Sequence, residues 1–333
     1  MRAIEIAQSV EALIESQVPV FVWGSPGIGK SSIIKQIAQR GGYEFVDLRL
    51  SLLDPTDLKG IPFFDSTNRQ AVWAAPNFLP KDPQSRGILF LDEINTAPPS
   101  VQASAYQLVL DRKVGDYTLP DGWSIVAAGN HESDRGIVYR MPPALSNRFV
   151  HLDMEVGFDE WKSWAYGASI DSRLIAFLGY AQERLFDFEP KANAKSFPTP
   201  RSWEFVHKIL HSQMPPTLLR QSIAGAVGAD SANSFLAFIS VMDRLPDIDA
   251  LLSGTSLDIE SDSQLLFALI AGIVSSLQRD SSTERIDHAI ELSIQLPKEY
   301  AIMLIKDMQQ SSIAVESSSL WDSWVDEFAH LLV

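Results

Sequence analysis

Apolar side chains recur at two different spacings along this chain, and the balance between them changes near residue 155. Ile6, Val10, Leu13 and Ile14 repeat at helical intervals, which predicts an amphipathic helix over 3–16. Residues 19–23 form a short apolar run that ends at Gly24, the pattern of a buried strand. Residues 31–40 return to helical spacing and stop at Gly41-Gly42. Four more strands are predicted at 45–50, 88–91, 124–128 and 149–152. The run Ile88-Leu89-Phe90-Leu91 is apolar throughout and is expected at the sheet centre. Strands separated by helices predict an α/β fold, a five-stranded parallel sheet covered by helices on both faces.

Beyond residue 155 strand signals fade. Helical patterns run over 173–186, 201–211, 231–244, 263–277, 284–296 and 319–332. Proline and polar breaks at 188–200, 214–217, Pro246 and 253–256 separate them, and 188–200 reads as a linker or an ordered loop. No internal repeat and no long low-complexity tract is present.

Composition narrows the classes. With 333 residues and 46% hydrophobic side chains, the chain suits two domains with sizeable cores. The absence of cysteine excludes disulfides and thiolate metal sites and fits a reducing cytoplasm. The N-terminal residues include Arg2 and Glu5 and give no apolar secretory core. The longest apolar stretch, 265–274, is too short to span a bilayer, so no membrane role is expected. Residues 1–150 hold 14 basic and 16 acidic side chains, so most of the net charge of −15 lies in the second half. An acidic half repels a phosphate backbone, which argues against nucleic acid as partner; it also simply confers solubility.

The candidate chemistry begins at Gly24-Ser25-Pro26-Gly27-Ile28-Gly29-Lys30-Ser31, which fits G-x-x-x-x-G-K-[ST] between a predicted strand and a predicted helix. Glycines let backbone N–H groups turn inward on a phosphate. The following helix, with Ser32 in its first turn, adds free amides and the positive end of its dipole. Lys30 would reach the β- and γ-phosphates, and the Ser31 hydroxyl would ligate Mg²⁺ beside ATP.

The run 88–91 ends in Asp92-Glu93. A strand end of this kind lies at the ligand crevice of an open α/β sheet. Asp92 is placed to hold Mg²⁺ through water and Glu93 to polarise an attacking water; an ordinary helix cap is the bland alternative. Asn130 follows the strand at 124–128 and could bond the γ-phosphate or the water, or could be a plain turn residue after Gly129. Arg148 precedes the last strand, where it could be offered to a neighbouring subunit's phosphate or form a surface ion pair. Arg140 and Arg135 compete for that role. Arg201 sits in the first turn of a second-half helix, where a cation is electrostatically unfavoured.

Together these residues resemble the AAA+ ATPases, and specifically the MoxR branch. Leu53-Asp54-Pro55-Thr56-Asp57-Leu58-Lys59-Gly60 is similar to that branch's stretch after the second strand, and so is Asp92-Glu93-Ile94-Asn95 followed by Pro98 and the helix 100–110. The resemblance covers 3–155 closely and 165–250 loosely. It implies Walker A contacts from Lys30 and Ser31, Walker B from Asp92 and Glu93, sensor 1 from Asn130, an arginine finger at Arg148 and sensor 2 at Arg201. It implies an α/β nucleotide-binding domain at 1–155, an all-helical lid at 156–255 and a C-terminal helical extension at 256–333. It further implies a homo-oligomer, usually a hexameric ring with ATP at each interface, and chaperone-like remodelling of a partner, often one with a von Willebrand factor A domain. The branch's insertion would fall within 61–78. Phe63, Phe64 and Trp73 alternate poorly with polar residues there, so the pattern alone does not fix a hairpin.

Two other functions fit the same motifs. A nucleic-acid motor of helicase or loader type would need a basic stripe that the composition lacks. A nucleotide-gated scaffold would not need both Asp92 and Glu93. Three further signals read as packing. His207 and His211 lie four apart, but Lys208 between them breaks the H-E-x-x-H pattern. Trp161, Trp164 and Tyr166 cluster near the expected domain junction. Trp321, Trp324, Phe328 and Leu331 recur at roughly helical spacing, as core or as a docking face.

Overall fold

The computed structural model describes residues 1–67, 69–134, 139–189, 194–257 and 262–328, apart from the side chain of Glu132. The chain divides into two units, Met1–Gly157 and Phe158–Val333.

In the first unit the apolar runs become strands: β1 (Val20–Trp23), β2 (Glu44–Arg49), a hairpin β3 (Ile61–Asp65) and β4 (Gln70–Ala74), β5 (Gly87–Asp92), a short pair β6 (Lys113–Val114) and β7 (Tyr117–Thr118), β8 (Trp123–Gly129) and β9 (Val150–Asp153). Five of them form one sheet in the order β2-β5-β8-β1-β9, and every pair in it is parallel. The helices of this unit are α1 (Ala3–Glu15), α2 (Lys30–Gly41), α3 (Pro55–Lys59), α4 (Pro99–Asp111) and α5 (Pro143–Ser146).

Both faces of the sheet are covered. Phe21, Leu89, Leu91, Ile125 and Ala127 share one apolar cluster with Val101, Ala105 and Leu108 of α4. The alternate positions Val20, Val22, Ile88, Phe90 and Val126 are also fully buried, as a strand packed on two sides requires. Every residue of β5 is buried; the strand is interior, between β2 and β8, while the middle strand of the five is β8. The sequence of crossovers puts β8 between β5 and β1, and the carboxyl ends of these three strands carry the phosphate loop, Asp92 and Asn130 to one edge of the sheet.

The hairpin that the side-chain pattern left unfixed does form, with Phe63 paired to Val72 and Ile61 to Ala74. Gly60 makes it feasible: it has φ +83°, and a Cβ there would lie 2.0 Å from the Ala74 carbonyl oxygen.

The second unit is helical. Its helices are α6 (Phe158–Gly167), α7 (Ser172–Tyr180), α8 (Pro200–Leu210), α9 (Pro216–Val227), α10 (Ala229–Met242), α11 (Ile248–Leu251), α12 (Ser263–Arg279), α13 (Thr283–Gln295), α14 (Lys298–Gln310) and α15 (Trp321–Phe328). The helix expected over 173–186 ends at Tyr180 and gives way to one 3-10 turn at Gln182–Arg184. Tertiary bonds hold that turn: the Arg184 carbonyl accepts from Trp203 Nε1 at 2.7 Å, and its guanidinium pairs with Asp230. Trp324 and Phe328 are core, stacked with ring centres 4.7 Å apart; Leu331 lies outside the described residues. His207 Nδ1 accepts from the Asp171 amide at 3.1 Å, next to the start of α7. Among the described residues no helix is long and apolar enough to cross a membrane.

Candidate functional site

The phosphate loop links β1 to α2. Gly29 takes φ +101° and starts α2, so Lys30, Ser31 and Ser32 occupy its first turn, where amides have no acceptor inside the helix. Gly24 leaves no room for a side chain: a Cβ would lie 2.5 Å from Ile28 Cδ1 and 3.0 Å from the Met154 carbonyl oxygen. Gly27 also has positive φ, +80°, so the loop between Ser25-Pro26 and Ile28 follows a path closed to most residues.

Lys30 is only 8% exposed. Its ammonium donates to the carbonyl oxygens of Gly24 at 2.6 Å and Ser25 at 3.0 Å, and to Asn130 Oδ1 at 2.9 Å. The two strand ends β1 and β8 thus meet through one cation. Ser31 Oγ donates to Asp92 Oδ2 at 3.0 Å, joining the start of α2 to the end of β5. Ser31 and Asp92 therefore place two hard oxygens side by side, the donor set that suits Mg²⁺. Among the described residues no group of three or more His, Asp or Glu is arranged to hold a metal alone, so a cation here would take its other ligands from phosphate and water.

Glu93 leaves the strand with φ +57°, a left-handed backbone that costs a non-glycine residue about 1–3 kcal/mol. The turn swings its side chain off the sheet axis to Ser51, whose Oγ donates to Glu93 Oε2 at 2.5 Å. On β2, burial and then the Asp92 carboxylate hold Asp47 above the usual carboxylate range, with Arg49 and Lys35 pulling the other way.

Residues 19–151 match the family described as ATPase family associated with various cellular activities (AAA). The matched stretch lies within the first unit, which has the P-loop AAA+ fold. A 160-residue stretch is 26% identical to midasin from Giardia intestinalis and covers 46% of this chain but only 3% of that protein. Among solved structures, NtrX from Brucella abortus in complex with ADP is 14% identical, covering 93% of this chain and 68% of that one with a TM-score of 0.41. RuvB from Thermotoga maritima, as the P216G mutant, is 18% identical, covering 80% of each chain with a TM-score of 0.39.

Within the first unit Lys30, Ser31, Asp92, Glu93 and Asn130 converge at one end of the sheet. Arg148 is exposed between α5 and β9, and its guanidinium has no ion-pair or hydrogen-bond partner among the described residues; Arg140 is likewise exposed. Arg135 lies outside the described residues. Arg201 is exposed in the first turn of α8, in the helical unit.

Two polar groups at the site, Ser51 and Asp134, carry no motif that marks them, and a third, Asn95, falls inside the stretch 92–95 with no role assigned to it by the sequence. Ser51 follows β2 within a 3-10 turn, Leu50–Leu52, and only its partner Glu93 reveals it. Asp134 accepts from Ser25 Oγ at 3.4 Å, while its other carboxylate oxygen is buried without a hydrogen-bond partner. Asn95 is buried behind Asp92-Glu93 and donates to the Asn130 carbonyl.

Proposed function

We propose that this chain is a Mg²⁺-dependent ATPase of the MoxR type, working as a homo-oligomeric ring, hexameric in the simplest case, that remodels a partner protein in the cytoplasm. The observation that carries the reading is the convergence of Lys30, Asn130, Ser31, Asp92 and Glu93 at the open end of the parallel sheet. In it, the ammonium of Lys30 leaves its neutral carbonyl partners for the β- and γ-phosphates, and the amides of Lys30, Ser31 and Ser32 receive phosphate oxygens. Ser31 and Asp92 would hold Mg²⁺, which when bound would supply neutralisation of the phosphate charge. Glu93 turns from Ser51 to orient the attacking water, and Asn130 bonds the γ-phosphate or that water.

Arg148 is the arginine offered to the next subunit's ATP, with Arg140 as its rival, and Arg201 acts from the helical lid. The exposure of both Arg148 and Arg201 supports this, because a group that works on another molecule's phosphate must project. The partner class is a protein, with a von Willebrand factor A domain protein as first candidate; the net charge of −15 disfavours nucleic acid.

The test is phosphate release from the purified assembly, with nucleotide affinity measured in parallel. Glu93→Gln is expected to keep ATP affinity within about threefold and to lower turnover at least about 100-fold. Arg148→Ala is expected to keep affinity and to lower turnover by about a thousandfold, in the oligomer only. Full hydrolysis by Glu93→Gln, or by an isolated monomer, would sink the reading.

A further inference from the structure

Asn95 lies directly behind the acidic pair and is 1% exposed. Its Nδ2 donates to the main-chain carbonyl of Asn130 at 2.7 Å, and its own carbonyl accepts from the amide of Tyr139 at 2.7 Å. One residue therefore ties down both the start of the segment that follows β8 and the position just before Arg140. The fit is tight. A Cβ on Gly129 would lie 2.3 Å from Asn95 Oδ1, so glycine at 129 is what admits the amide. Oδ1 is buried without a hydrogen-bond partner, which costs about 1–3 kcal/mol and would favour an apolar residue if packing were all that mattered. Rotating the amide gives no relief, because it would set oxygen against the Asn130 carbonyl.

An unsatisfied buried acceptor is retained, then, for the sake of the donor on the other side of the same amide. That donor fixes the backbone of Asn130, whose side chain receives Lys30 at 2.9 Å. We propose that Asn95 is a positioning residue for nucleotide discrimination: it sets the Asn130 backbone so that the Asn130 side chain meets the γ-phosphate, and ATP is thereby distinguished from ADP. The inference rests on the proposed reading of Asn130.

Binding, measured without turnover, separates the two. In a Glu93→Gln background, fluorescent ATP and ADP analogues are titrated against the parent, Asn95→Leu, Asn130→Ala and the double variant. Leucine keeps the branching of the amide without its polar atoms but is bulkier; Asn95→Ser serves if the leucine variant does not fold. The expected result is that each single change lowers the ratio of ATP to ADP affinity about tenfold, and that the double variant falls no further than Asn130→Ala alone, since Asn95 acts through Asn130. The melting temperature tracks any purely structural loss and is not expected to follow the ratio. A double variant that loses the product of the two single effects overturns the proposal, as does an Asn95 variant that keeps the parent's ratio. An Asn130→Ala variant with an unchanged ratio removes the reading of Asn130 itself, and the role of Asn95 falls with it.

Discussion

Lys30 in the first unit and Lys162 in the helical unit are 8% and 9% exposed, yet the partners that hold them differ in kind. Among the hydrogen bonds of the described residues, Lys30 donates to three uncharged oxygens, two of them from the backbone of its own loop. Lys162 on α6 donates to a carboxylate, Asp307 Oδ1 on α14, at 2.5 Å, while Tyr166 donates to the other carboxylate oxygen at 2.9 Å. Asp307 is 3% exposed, and all three groups line a cleft of about 530 Å³ inside the helical unit. Hydrogen bonds to neutral acceptors such as these can be exchanged for bonds to an incoming phosphate at little cost. A cation already neutralised by a buried carboxylate is committed to it, because separating the pair strands two charges in a medium that solvates them poorly. The same side chain thus serves as a reagent in one unit and a fastener in the other.

Removing each lysine tests that contrast. For Lys30→Ala the loss should appear almost wholly in ligand binding. ATP affinity is expected to fall at least about a thousandfold, about 4 kcal/mol, in a direct titration. Unfolding in urea should shift by only about 1 kcal/mol, since the Ser25 carbonyl and Asn130 Oδ1 are part-buried and can bond water, and the buried Gly24 carbonyl loses one uncharged bond. A large drop in unfolding free energy with near-normal ATP affinity would erase the distinction between the two lysines.

Lys162→Met should do the reverse. ATP affinity stays within about twofold, and stability falls by about 3 kcal/mol, because Asp307 is left buried without its counter-charge. Burial already raises the Asp307 carboxyl above its ordinary value of 3.8, with Lys162 and then Tyr166 opposing the rise. A carboxyl whose folded pKa is raised favours the fold when protonated, so its unfavourable contribution is absent below 3.8 and complete above the folded value. Without Lys162 that contribution grows, and the variant's deficit should shrink as pH falls toward about 4. Adding Asp307→Leu should restore most of the stability at neutral pH. A deficit independent of pH, unrelieved by the second change, would mean that Lys162 acts through its apolar stem.

Which parts of this were legible in the sequence follows from how much of each feature is local. The interior strands were, because a strand covered on both faces reads as a near-continuous apolar run, as 88–91 of β5 does; the edge strands β2 and β9 showed only as shorter apolar runs broken by polar residues. The loop and the acidic pair were, because close approach to phosphate demands glycines and carboxylates at fixed offsets. Helix α9 was hidden by Pro215-Pro216, which reads as a break but here marks a start: Pro216 occupies the first helical position, where its missing N–H costs nothing. Helix α14 was hidden by Asp307, a carboxylate on its buried face that spoils the apolar period unless Lys162, 145 residues away, is known to meet it. Ser51 and Asn95 escaped for the same reason. Their partners Glu93 and Asn130 are brought to them by strand order, which no local pattern encodes.

The smallest expected effect concerns Ser51, and it asks whether the site also contains a fastener. Ser51 Oγ donates to Glu93 Oε2 at 2.5 Å, so the proposed base is held by one neutral hydroxyl while it waits. If this bond resembles those of Lys30, it restrains Glu93 only weakly, by about 1 kcal/mol, and must be exchanged before Glu93 can orient water. Ser51→Ala would then raise basal turnover by up to about fivefold and leave ATP affinity unchanged, as read by phosphate release at saturating ATP. If the bond instead aims Glu93 at its water, as Lys162 fixes Asp307, the same substitution would lower turnover. The left-handed backbone at Glu93 favours the first outcome, because the strained turn already sets the direction of the side chain and leaves the hydroxyl little to add beyond restraint.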